Sequence, residues 1–237
     1  MTSDFNSLDA FEFEALAQAI NYKRWIWEQF SSTLMASPKI LEVGGGIGHF
    51  TEVIYEHAIN SQITSLEPFQ EFYEQLAAKL PQIESFHGYA QDLAETEHYD
   101  SIINVNVLEH IKDHEDELKT WHRLLKENGT ACVLVPACTE LYTPIDHLMG
   151  HYRRYTPDTL REVFESAGFK VEKLTYFNHV GYWLWMLNFK LLKKKSFSKA
   201  KIAFHERYLI QPSKLLDKLG AHRLRGQSLV CIARKLS

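Results

Sequence analysis

The sequence predicts an α/β fold in which helices cover both faces of a mostly parallel sheet. Short apolar runs rich in β-branched residues alternate along the chain with segments whose apolar residues have helical spacing. Strands and helices that alternate in this way form parallel sheets. Four glycines within residues 44–48 directly follow the first apolar run, which places a glycine-rich turn between a strand and a helix. With 237 residues, of which 45% are hydrophobic and 24% charged, the chain can bury a full core.

The individual elements follow from apolar spacing and from the residues that end helices and strands. Before the sheet, the apolar residues of segment 9–35 have roughly helical spacing and predict one or two helices. The predicted strands are 40–43, 63–66, 83–87, 101–107, 130–135, 169–176 and 228–233. The predicted helices between them are 48–58, 69–80, 113–126 and 158–167. Thr156 and Pro157 provide the N-terminal cap of the last of these helices, and Gly168 ends it.

We expect residues 1–237 to form a single domain with three segments outside the alternating pattern. The first is an N-terminal helical segment, residues 1–36. The second is a polar loop, residues 137–156, on the side of the sheet where a substrate would approach. The third is a helical insertion, residues 178–225, which is aromatic and then basic and precedes the last strand.

Bulk properties exclude several classes of protein. The N-terminus has four acidic residues within its first 14 positions and no apolar run, unlike a secretory signal. No stretch reaches the about 18 apolar residues of a membrane-spanning helix. The three cysteines, Cys132, Cys138 and Cys231, form no C-x-x-C pair, which argues against a disulfide framework and against a zinc site. These features predict a cytoplasmic protein.

Charge is distributed unevenly along the chain. Residues 190–237 contain 13 Lys and Arg but only 2 acidic residues, whereas residues 1–189 contain 13 Lys and Arg and 28 acidic residues. A basic C-terminal region can face an anionic partner, such as a phosphate-bearing substrate, a membrane surface or nucleic acid.

The glycine-rich turn is a candidate nucleotide site. Glycines let the backbone approach a ligand closely, and the N-terminus of the following helix offers unpaired N–H groups. A dinucleotide fingerprint, G-x-G-x-x-G, would need a glycine at position 49, where this chain has His49. A phosphate-binding P-loop would need a lysine directly after Gly48, which the chain lacks. The pattern that remains is E-x-G-x-G-x-G, formed by Glu42, Gly44, Gly46 and Gly48.

This pattern resembles the first motif of class I S-adenosylmethionine (SAM) methyltransferases. Glu67 at the end of the second strand, Asp92 after the third, and the sequence N-V-L-E-H-I at residues 106–111 also resemble these enzymes. The segment L-L-K-E-N-G-T ahead of the fifth strand agrees as well. The resemblance implies a Rossmann-like, seven-stranded, mostly parallel sheet in the order 3-2-1-4-5-7-6, with the last strand antiparallel. It also implies SAM as cofactor and S-adenosylhomocysteine as product.

The predicted cofactor contacts lie beyond the carboxyl ends of the strands, where ligands of open α/β sheets bind. Glu67 can accept hydrogen bonds from both ribose hydroxyls, and Asp92 can accept one from the adenine amine while Leu93 covers the ring. By resemblance, Asn106 lies beside the methionine end of the cofactor. The full set of predicted cofactor-binding residues is Glu42, Gly44, Gly46, Gly48, Glu67, Pro68, Asp92, Leu93 and Asn106.

The loop after the fifth strand has an unusual density of polar side chains that could contact a substrate. Methyl transfer to a hydroxyl needs alignment with the methyl carbon and a base that takes the proton. We predict His151 or Asp146 as that base, with an Asp–His pair holding the imidazole in one tautomer, and His110 as a third catalytic candidate. Arginines offer a planar fork for a carboxylate or phosphate. The predicted substrate-binding residues are His147, Tyr152, Arg153, Arg154 and Tyr155.

Alternative roles remain open for the same residues. Asp146 could pair with Arg153 or Arg154 and only fold the loop, and His110 could only anchor the helix that follows it. His147 and His151, four residues apart, could bind a metal together with Asp146 if they shared a helical turn. The glycine at position 150 disfavours that helix, and no metal is predicted.

A more specific resemblance concerns the acceptor. The sequence D-H-x-x-G-H-Y-R-R-Y-T at residues 146–156, A-G-F at residues 167–169 and Y-F-N at residues 176–178 resemble a bacterial subgroup of methyltransferases. Members of this subgroup are often found beside or fused to family 2 glycosyltransferases. The resemblance implies a sugar or lipid-linked glycan as acceptor.

The insertion before the last strand is apolar first and basic afterwards. Residues 180–195 contain Trp183, Trp185 and many aliphatic residues, with four lysines toward their end. An interfacial helix has this pattern, and the stretch is too short to span a bilayer. One expectation is therefore peripheral membrane contact through residues 180–201. The alternatives are a helix that caps the acceptor pocket and a homodimer interface.

The sequence thus predicts a SAM-dependent methyltransferase that acts on an oxygen or nitrogen atom of a small-molecule or glycan-type acceptor. One alternative is an NAD-dependent oxidoreductase, which the missing third glycine opposes. Another is a catalytically inactive binding or membrane-adaptor module, which the intact Glu42 and Glu67 oppose. A nucleic-acid partner is not predicted, because the N/D-P-P-Y/F motif used on flipped bases does not follow the fourth strand.

Overall fold

A computed structural model describes residues 19–94, 96, 98–194 and 199–236. The predicted alternation of strands and helices is confirmed over these residues. The strands are β1 (Lys39–Val43), β2 (Gln62–Glu67), β3 (Glu84–His87), β4 (Tyr99–Val105), β5 (Leu125–Pro136), β6 (Phe169–Phe177) and β7 (Ser228–Lys235). Of the predicted N-terminal helical segment, residues 1–18 lie outside the described residues.

The helices pack around this sheet. They are α1 (Ile20–Leu34), α2 (His49–His57), α3 (Gln70–Lys79), α4 (His114–Leu124), α5 (Pro144–Leu148), α6 (Pro157–Ser166), α7 (His179–Trp185), α8 (Lys199–Phe204) and α9 (Ile210–Lys218). A π-helical turn, Met186–Leu191, continues α7, and another, His205–Leu209, joins α8 to α9. None of the described helices is long and apolar enough to cross a membrane.

All seven strands form one sheet in the order β3-β2-β1-β4-β5-β7-β6, as the resemblance implied. The pairs from β3 to β5 are parallel, and β7 runs antiparallel to both β5 and β6. The strand order reverses between the neighbours β1 and β4. From β1 the chain continues to β2 on one side of the sheet, and from β4 it continues to β5 on the other side. The carboxyl ends of β1, β2 and β4 therefore meet at one edge, where ligands of such sheets bind.

The core lies on both faces of the sheet because alternate residues of each central strand point to opposite sides. Leu41 and Ile102 belong to one apolar cluster, whereas their chain neighbours Ile40 and Ile103 belong to the other. All four side chains are fully buried. Each such burial stabilises the fold by about 1.5–3 kcal/mol, which explains why the strands are continuous apolar runs in the sequence. The free thiols of Cys132, Cys138 and Cys231 are buried as well.

Several element boundaries differ from the sequence prediction by two residues or more, chiefly around β4, α4 and the start of β5. Strand β4 ends at Val105 rather than at residue 107, because Asn106 adopts a left-handed conformation with φ of 53° and turns the chain. Helix α4 ends at Leu124, two residues early, and β5 begins directly at Leu125.

The insertion leaves and re-enters the sheet at one point. The main-chain N–H of Gln227 donates to the Asn178 carbonyl over 3.1 Å, and the Asn178 side-chain amide donates to Gln227 Oε1 over 3.0 Å. Asp217, near the end of α9, accepts hydrogen bonds from the N–H groups of Asn178 (2.8 Å) and His179 (3.1 Å). These contacts bring the end of α9 to the start of α7, so the two helices form a hairpin beside the sheet.

Candidate active site

The glycine-rich loop between β1 and α2 is attached to the neighbouring strand by its own backbone. The N–H groups of Gly44 and Gly45 both donate to the Leu66 carbonyl, over 2.8 and 3.0 Å. Gly44 has φ of +82°, which residues with a side chain rarely adopt. A β-carbon at Gly44 would also lie 2.4 Å from Val107 Cγ2. The chain that follows β4 therefore closes directly over the start of the loop.

Glu42, near the end of β1, accepts hydrogen bonds from residues that flank the glycine-rich loop. The hydroxyls of Thr51 and Ser65 donate to its Oε2 over 2.5 and 2.6 Å. Burial raises the pKa of Glu42, and these two hydrogen bonds partly offset the shift. A β-carbon at Gly45 would lie 2.1 Å from Ser65 Oγ, so a side chain there would disrupt this hydrogen-bonded group. Glu42 therefore contacts α2 and β2, the two elements next to the loop, through Thr51 and Ser65.

Glu67 links the end of β2 to the same loop. Its Oε2 accepts the N–H of Gly46 over 2.8 Å, and its Oε1 accepts the N–H of Phe69 over 2.9 Å. Burial raises the pKa of Glu67 to about 7, although both backbone hydrogen bonds act in the opposite direction. Each carboxylate oxygen has a second lone pair. Glu67 can therefore accept further hydrogen bonds without releasing the loop.

The predicted adenine contacts lie one strand further along. Asp92 ends a short 3-10 turn after β3 and is exposed, with its Oδ2 accepting the N–H of Tyr89 over 2.8 Å. Leu93 is buried and packs in the core. Pro68, which follows Glu67, is half-buried.

Asn104 and Asn106 shape the turn after β4. Asn104 is fully buried, and its amide donates to the Val43 carbonyl over 3.1 Å while its Oδ1 accepts the N–H of Leu108 over 3.1 Å. It joins the ends of β1 and β4, a role that the sequence alone does not indicate. Asn106 is half-buried, and its N–H donates to the Leu134 carbonyl over 2.8 Å.

A second group of polar side chains follows one short turn later. The Leu108–His110 turn carries His110, whose ring packs edge to face against His151, with 4.7 Å between the ring centroids. His151 is buried, and its Nδ1 lies 3.1 Å from Asp146 Oδ1. Its Nε2 lies 3.9 Å from Glu109 Oε1. The structure therefore brings together the end of β4 and the loop after β5.

Asp146 is the centre of this group. It is fully buried and accepts hydrogen bonds from the N–H and hydroxyl of Thr143, over 2.9 and 3.1 Å, and from Arg154 Nε over 2.6 Å. Burial alone would raise the pKa of Asp146, but His151 and Arg154 hold it below its usual range. The Asp–His pair and the Asp–Arg pair, which the sequence left as alternatives, are both present.

The other predicted substrate residues divide into buried and accessible ones. Arg154 also donates to the Ala137 carbonyl over 3.1 Å, and its guanidinium lies 4.4 Å from the centre of the Trp185 ring. Arg153 donates to two main-chain carbonyls at residues 111 and 112. Tyr155 is buried, whereas Tyr152 is exposed.

His147 is exposed and lies in α5, before the left-handed Gly150 (φ of +78°), whereas His151 follows it. The two histidines therefore do not share one helical face. The residues whose possible ligand atoms do approach one another are Glu109, His110 and His151, all within 4.8 Å. Glu109 belongs to the N-V-L-E-H-I motif, but the sequence does not indicate its proximity to His151, because that proximity depends on the tertiary fold.

The His110 side chain is accessible to solvent, whereas Glu109 and His151 are buried. Loss of hydration around the ring and the neighbouring His151 lower its pKa. With a pKa of about 3, His110 is a neutral imidazole at neutral pH, and its unprotonated ring nitrogen can accept a hydrogen bond but holds a proton only weakly.

Residues 10–174 match the profile of a family described as the methyltransferase domain. The chain belongs to this methyltransferase family.

Among curated proteins, the methyltransferase is 30% identical over 144 residues to 2-methyl-6-phytyl-1,4-hydroquinone methyltransferase 1 of the chloroplast of Oryza sativa subsp. japonica. That match covers 57% of this chain and 42% of the rice protein. The chain spans about half the length of the curated relatives it matches, 42% and 54%.

Solved structures share the fold. A SAM-dependent methyltransferase from Archaeoglobus fulgidus has a TM-score of 0.62 and 18% identity, with 92% of this chain and 94% of that chain covered. Phosphoethanolamine N-methyltransferase 2 of Haemonchus contortus, in complex with S-adenosyl-L-methionine, has a TM-score of 0.60 and 15% identity, with 92% and 57% covered. The chain thus carries a methyltransferase domain with the fold of SAM-dependent methyltransferases, whose cofactor is SAM. The alternative of an NAD-dependent oxidoreductase is not favoured.

The residues at the carboxyl ends of β1, β2 and β4 fit this cofactor. The loop from Gly44 to Gly46 has no side chains, and the space for a side chain at Gly44 or Gly45 is taken by Val107 or Ser65 respectively. Glu67 offers a buried carboxylate beside this bare backbone. A carboxylate next to a loop that a ligand can approach closely suits the ribose diol of SAM.

Proposed function

We propose that the methyltransferase methylates an oxygen or nitrogen atom of a small-molecule or glycan-type acceptor, and that His151, Asp146 and His110 position and deprotonate it. One observation carries this proposal. The accessible His110 ring packs against a His151 that Asp146 holds, one short turn beyond Val107, which contacts the glycine loop. Acid–base groups thus lie next to the proposed cofactor site.

The proton chemistry follows from the hydrogen bonds. Bound SAM would supply an electrophilic methyl group and leave as S-adenosylhomocysteine, and the attacking hydroxyl or amine would lose a proton to a nearby base. Asp146 Oδ1 lies 3.1 Å from His151 Nδ1 and would accept a hydrogen bond from it, and the Nε2 side of the His151 ring lies toward Glu109 and His110. His110, the accessible ring, would take the proton from the acceptor, and His151 would fix its orientation.

Acceptor recognition would come from the rim around this pair. The exposed His147 and Tyr152 would contact the acceptor, while Arg153, Arg154 and Tyr155 would hold the rim in shape. On the cofactor side, the proposal keeps all the residues predicted from the sequence, including Pro68, Asp92, Leu93 and Asn106.

Two observations support a glycan-type or lipid-linked acceptor. The loop at residues 146–156 resembles the bacterial subgroup often found beside family 2 glycosyltransferases. The rice relative is named for an acceptor with a phytyl chain. The insertion, whose residues 180–201 we propose as a peripheral membrane contact, would suit an acceptor with a lipid part. A homodimer through the same insertion is the competing use.

The test is transfer of labelled methyl from SAM into a host-cell extract separated into aqueous and organic fractions. With the intact protein, we expect labelled product in either the aqueous or the organic fraction. With Glu67→Ala, which removes the proposed ribose contact, we expect labelled product in neither fraction. His110→Ala should bind SAM with unchanged affinity but transfer at least about a hundredfold more slowly. Transfer at the normal rate by His110→Ala would contradict the proposed base, and absence of any labelled product would contradict the acceptor class.

A further inference from the structure

An exposed apolar stripe runs along α7 and the π-helical turn that continues it. Trp183, Leu187 and Leu191 are 56%, 48% and 65% exposed and stand four residues apart. Residues four apart lie on one face of a helix. The opposite face of α7 is buried through Tyr182 and Trp185. The stripe therefore points away from the body of the protein.

The second half of the hairpin carries a matching stripe. Phe204 and Tyr208 stand four residues apart, as do Leu215 and Leu219, and all four are largely exposed. The opposite side of α9 is buried at three positions. The apolar surface, as we call it here, comprises Trp183, Leu187, Leu191, Leu192, Phe204, Tyr208, Leu215, Leu216, Leu219 and Leu224.

The charge around the apolar surface is strongly positive. Residues 179–225 contain eleven Lys and Arg and only two acidic residues, and one of the two, Asp217, is buried in the hydrogen bonds that close the hairpin. The exposed basic residues among those described are Lys190, Lys193, Lys194, Arg207, Lys218, Arg223 and Arg225. Long basic side chains beside exposed apolar residues are typical of helices that lie in the headgroup region of a membrane.

We propose that the apolar surface docks on the surface of an anionic lipid bilayer, so that the enzyme takes its acceptor from the membrane interface. The charge selects this occupant over a second copy of the chain, because two copies meeting through this surface would bring like charges together. An anionic leaflet attracts the lysines and arginines while the apolar side chains enter the boundary of the acyl chains.

Docking through this surface would place the acceptor site at the lipid interface. Trp185, on the inner face of α7, donates its indole N–H to the Leu141 carbonyl over 3.0 Å and lies beneath the guanidinium of Arg154. Arg154 in turn holds Asp146. The acceptor would be an amphiphile whose polar head carries the methylated oxygen or nitrogen. This choice of acceptor rests on the proposed function, whereas the docking itself does not.

Trp183 makes the docking directly measurable. It is the exposed member of the five tryptophans, all of which lie in described residues. With vesicles of equal parts phosphatidylglycerol and phosphatidylcholine at low salt, we expect its emission to shift to the blue and to be quenched by brominated acyl chains. Pure phosphatidylcholine vesicles should give at least about a tenfold weaker effect, because each basic residue near an anionic surface strengthens binding about fivefold. Trp183→Phe should remove the signal but not sedimentation with vesicles.

Variants test which residues dock. Leu187→Glu with Leu191→Glu should weaken vesicle binding by at least about tenfold, and Lys193→Glu with Lys194→Glu should do the same. Ile59→Glu is the matched control, since Ile59 is 80% exposed but follows α2, outside the hairpin. It should bind vesicles normally, and all variants should keep the circular dichroism and melting of the intact protein.

Three outcomes would overturn the proposal. They are no binding of the folded protein to anionic vesicles, equal binding by Leu187→Glu with Leu191→Glu, and a dimer in light scattering that the same double variant dissociates. Binding is measured without turnover, so the two proposals separate. Glu67→Ala should still bind vesicles, and an intact protein that binds vesicles but transfers no methyl group would count against the proposed function alone.

Discussion

Val107 occupies the space that a side chain on Gly44 would need: a β-carbon on Gly44 would lie 2.4 Å from Val107 Cγ2. This contact joins the glycine loop after β1 to the chain after β4. It also fixes the distance between the proposed cofactor and acid–base sites, because His110 follows Val107 by one hydrogen-bonded turn.

Gly44→Ala should therefore impair both stability and cofactor binding. The positive φ alone costs about 1 kcal/mol and the overlap with Val107 adds to it. We expect a lower melting temperature and at least about tenfold weaker SAM binding by calorimetry. Gly220→Ala is the matched control, because Gly220 has φ of +103° with no atom within 4 Å of its added β-carbon. Equal effects of the two substitutions on SAM affinity would rule out the role of the Val107 contact.

The raised pKa of Glu67, about 7, predicts pH-dependent cofactor binding. In the proposed site, the ionised carboxylate is the form that would accept hydrogen bonds from the ribose hydroxyls. SAM affinity should then rise between pH 6 and pH 8, by about tenfold. Glu67→Gln, which cannot ionise, should bind more weakly and with less dependence on pH. Parallel pH profiles for the two proteins would mean that another group titrates.

The same shift affects the stability of the cofactor-free protein. The folded-state pKa lies above the unfolded value, so the folded state favours protonated Glu67. The contribution of Glu67 to the free energy of unfolding is therefore fully present below about pH 4 and declines as the pH rises through about 7. Urea denaturation at several pH values, with and without saturating SAM, measures how the free energy of unfolding declines. We expect the decline to be larger without SAM, and a decline of the same size with SAM would contradict the assignment.

Asp146 should titrate in the opposite sense. Its pKa is lowered in the folded protein, so its stabilising contribution is present at neutral pH and is lost as the pH falls below about 4. Asp146→Asn at pH 7 leaves the buried Arg154 without its anion and should cost about 3–5 kcal/mol in chemical denaturation. Asp116→Asn is the control, since its ion pair with Lys119 is exposed and screened by solvent, so its loss should change stability little. If both substitutions lowered the free energy of unfolding by a similar amount, the buried pair of Asp146 and Arg154 would contribute no more to stability than an exposed ion pair.

The proposed base makes a kinetic prediction. His110→Ala and His151→Ala should each slow methyl transfer about 10²–10⁴-fold while SAM affinity stays within about twofold. His98→Ala changes a histidine at the start of β4, at the opposite end of the strand, and should transfer normally. A parallel loss of SAM affinity would instead indicate that these histidines support the fold of the cofactor loop.

The fold and the cofactor side could be predicted from the sequence because their signals are local. Glu42, Gly44, Gly46 and Gly48 lie within seven consecutive positions, and the strand order came with the family resemblance. The acid–base group was only partly predictable. Asp146 and His151 are close in sequence, but Glu109 and His151 are 42 positions apart, with helix α4 and strand β5 between them.

The burial of Arg154 was equally hidden. Its neighbours Asp146, Ala137 and Trp185 come from three different segments, and only their packing shows that the guanidinium is enclosed. The end of β4 was misplaced by two residues for a related reason, since asparagine tolerates a left-handed conformation but does not require it.

The hydrogen bonds between Asn178 and Gln227 have a consequence for how this enzyme could diversify. They close the base of the insertion, so that almost fifty residues begin and end at a single place on the sheet. A segment of another length or composition could replace them while β6 and β7 keep their register. Replacing this insertion with the corresponding segment of a homologous enzyme would then change which acceptors can reach the site. The proposed cofactor site at the carboxyl ends of β1, β2 and β4 would stay unchanged.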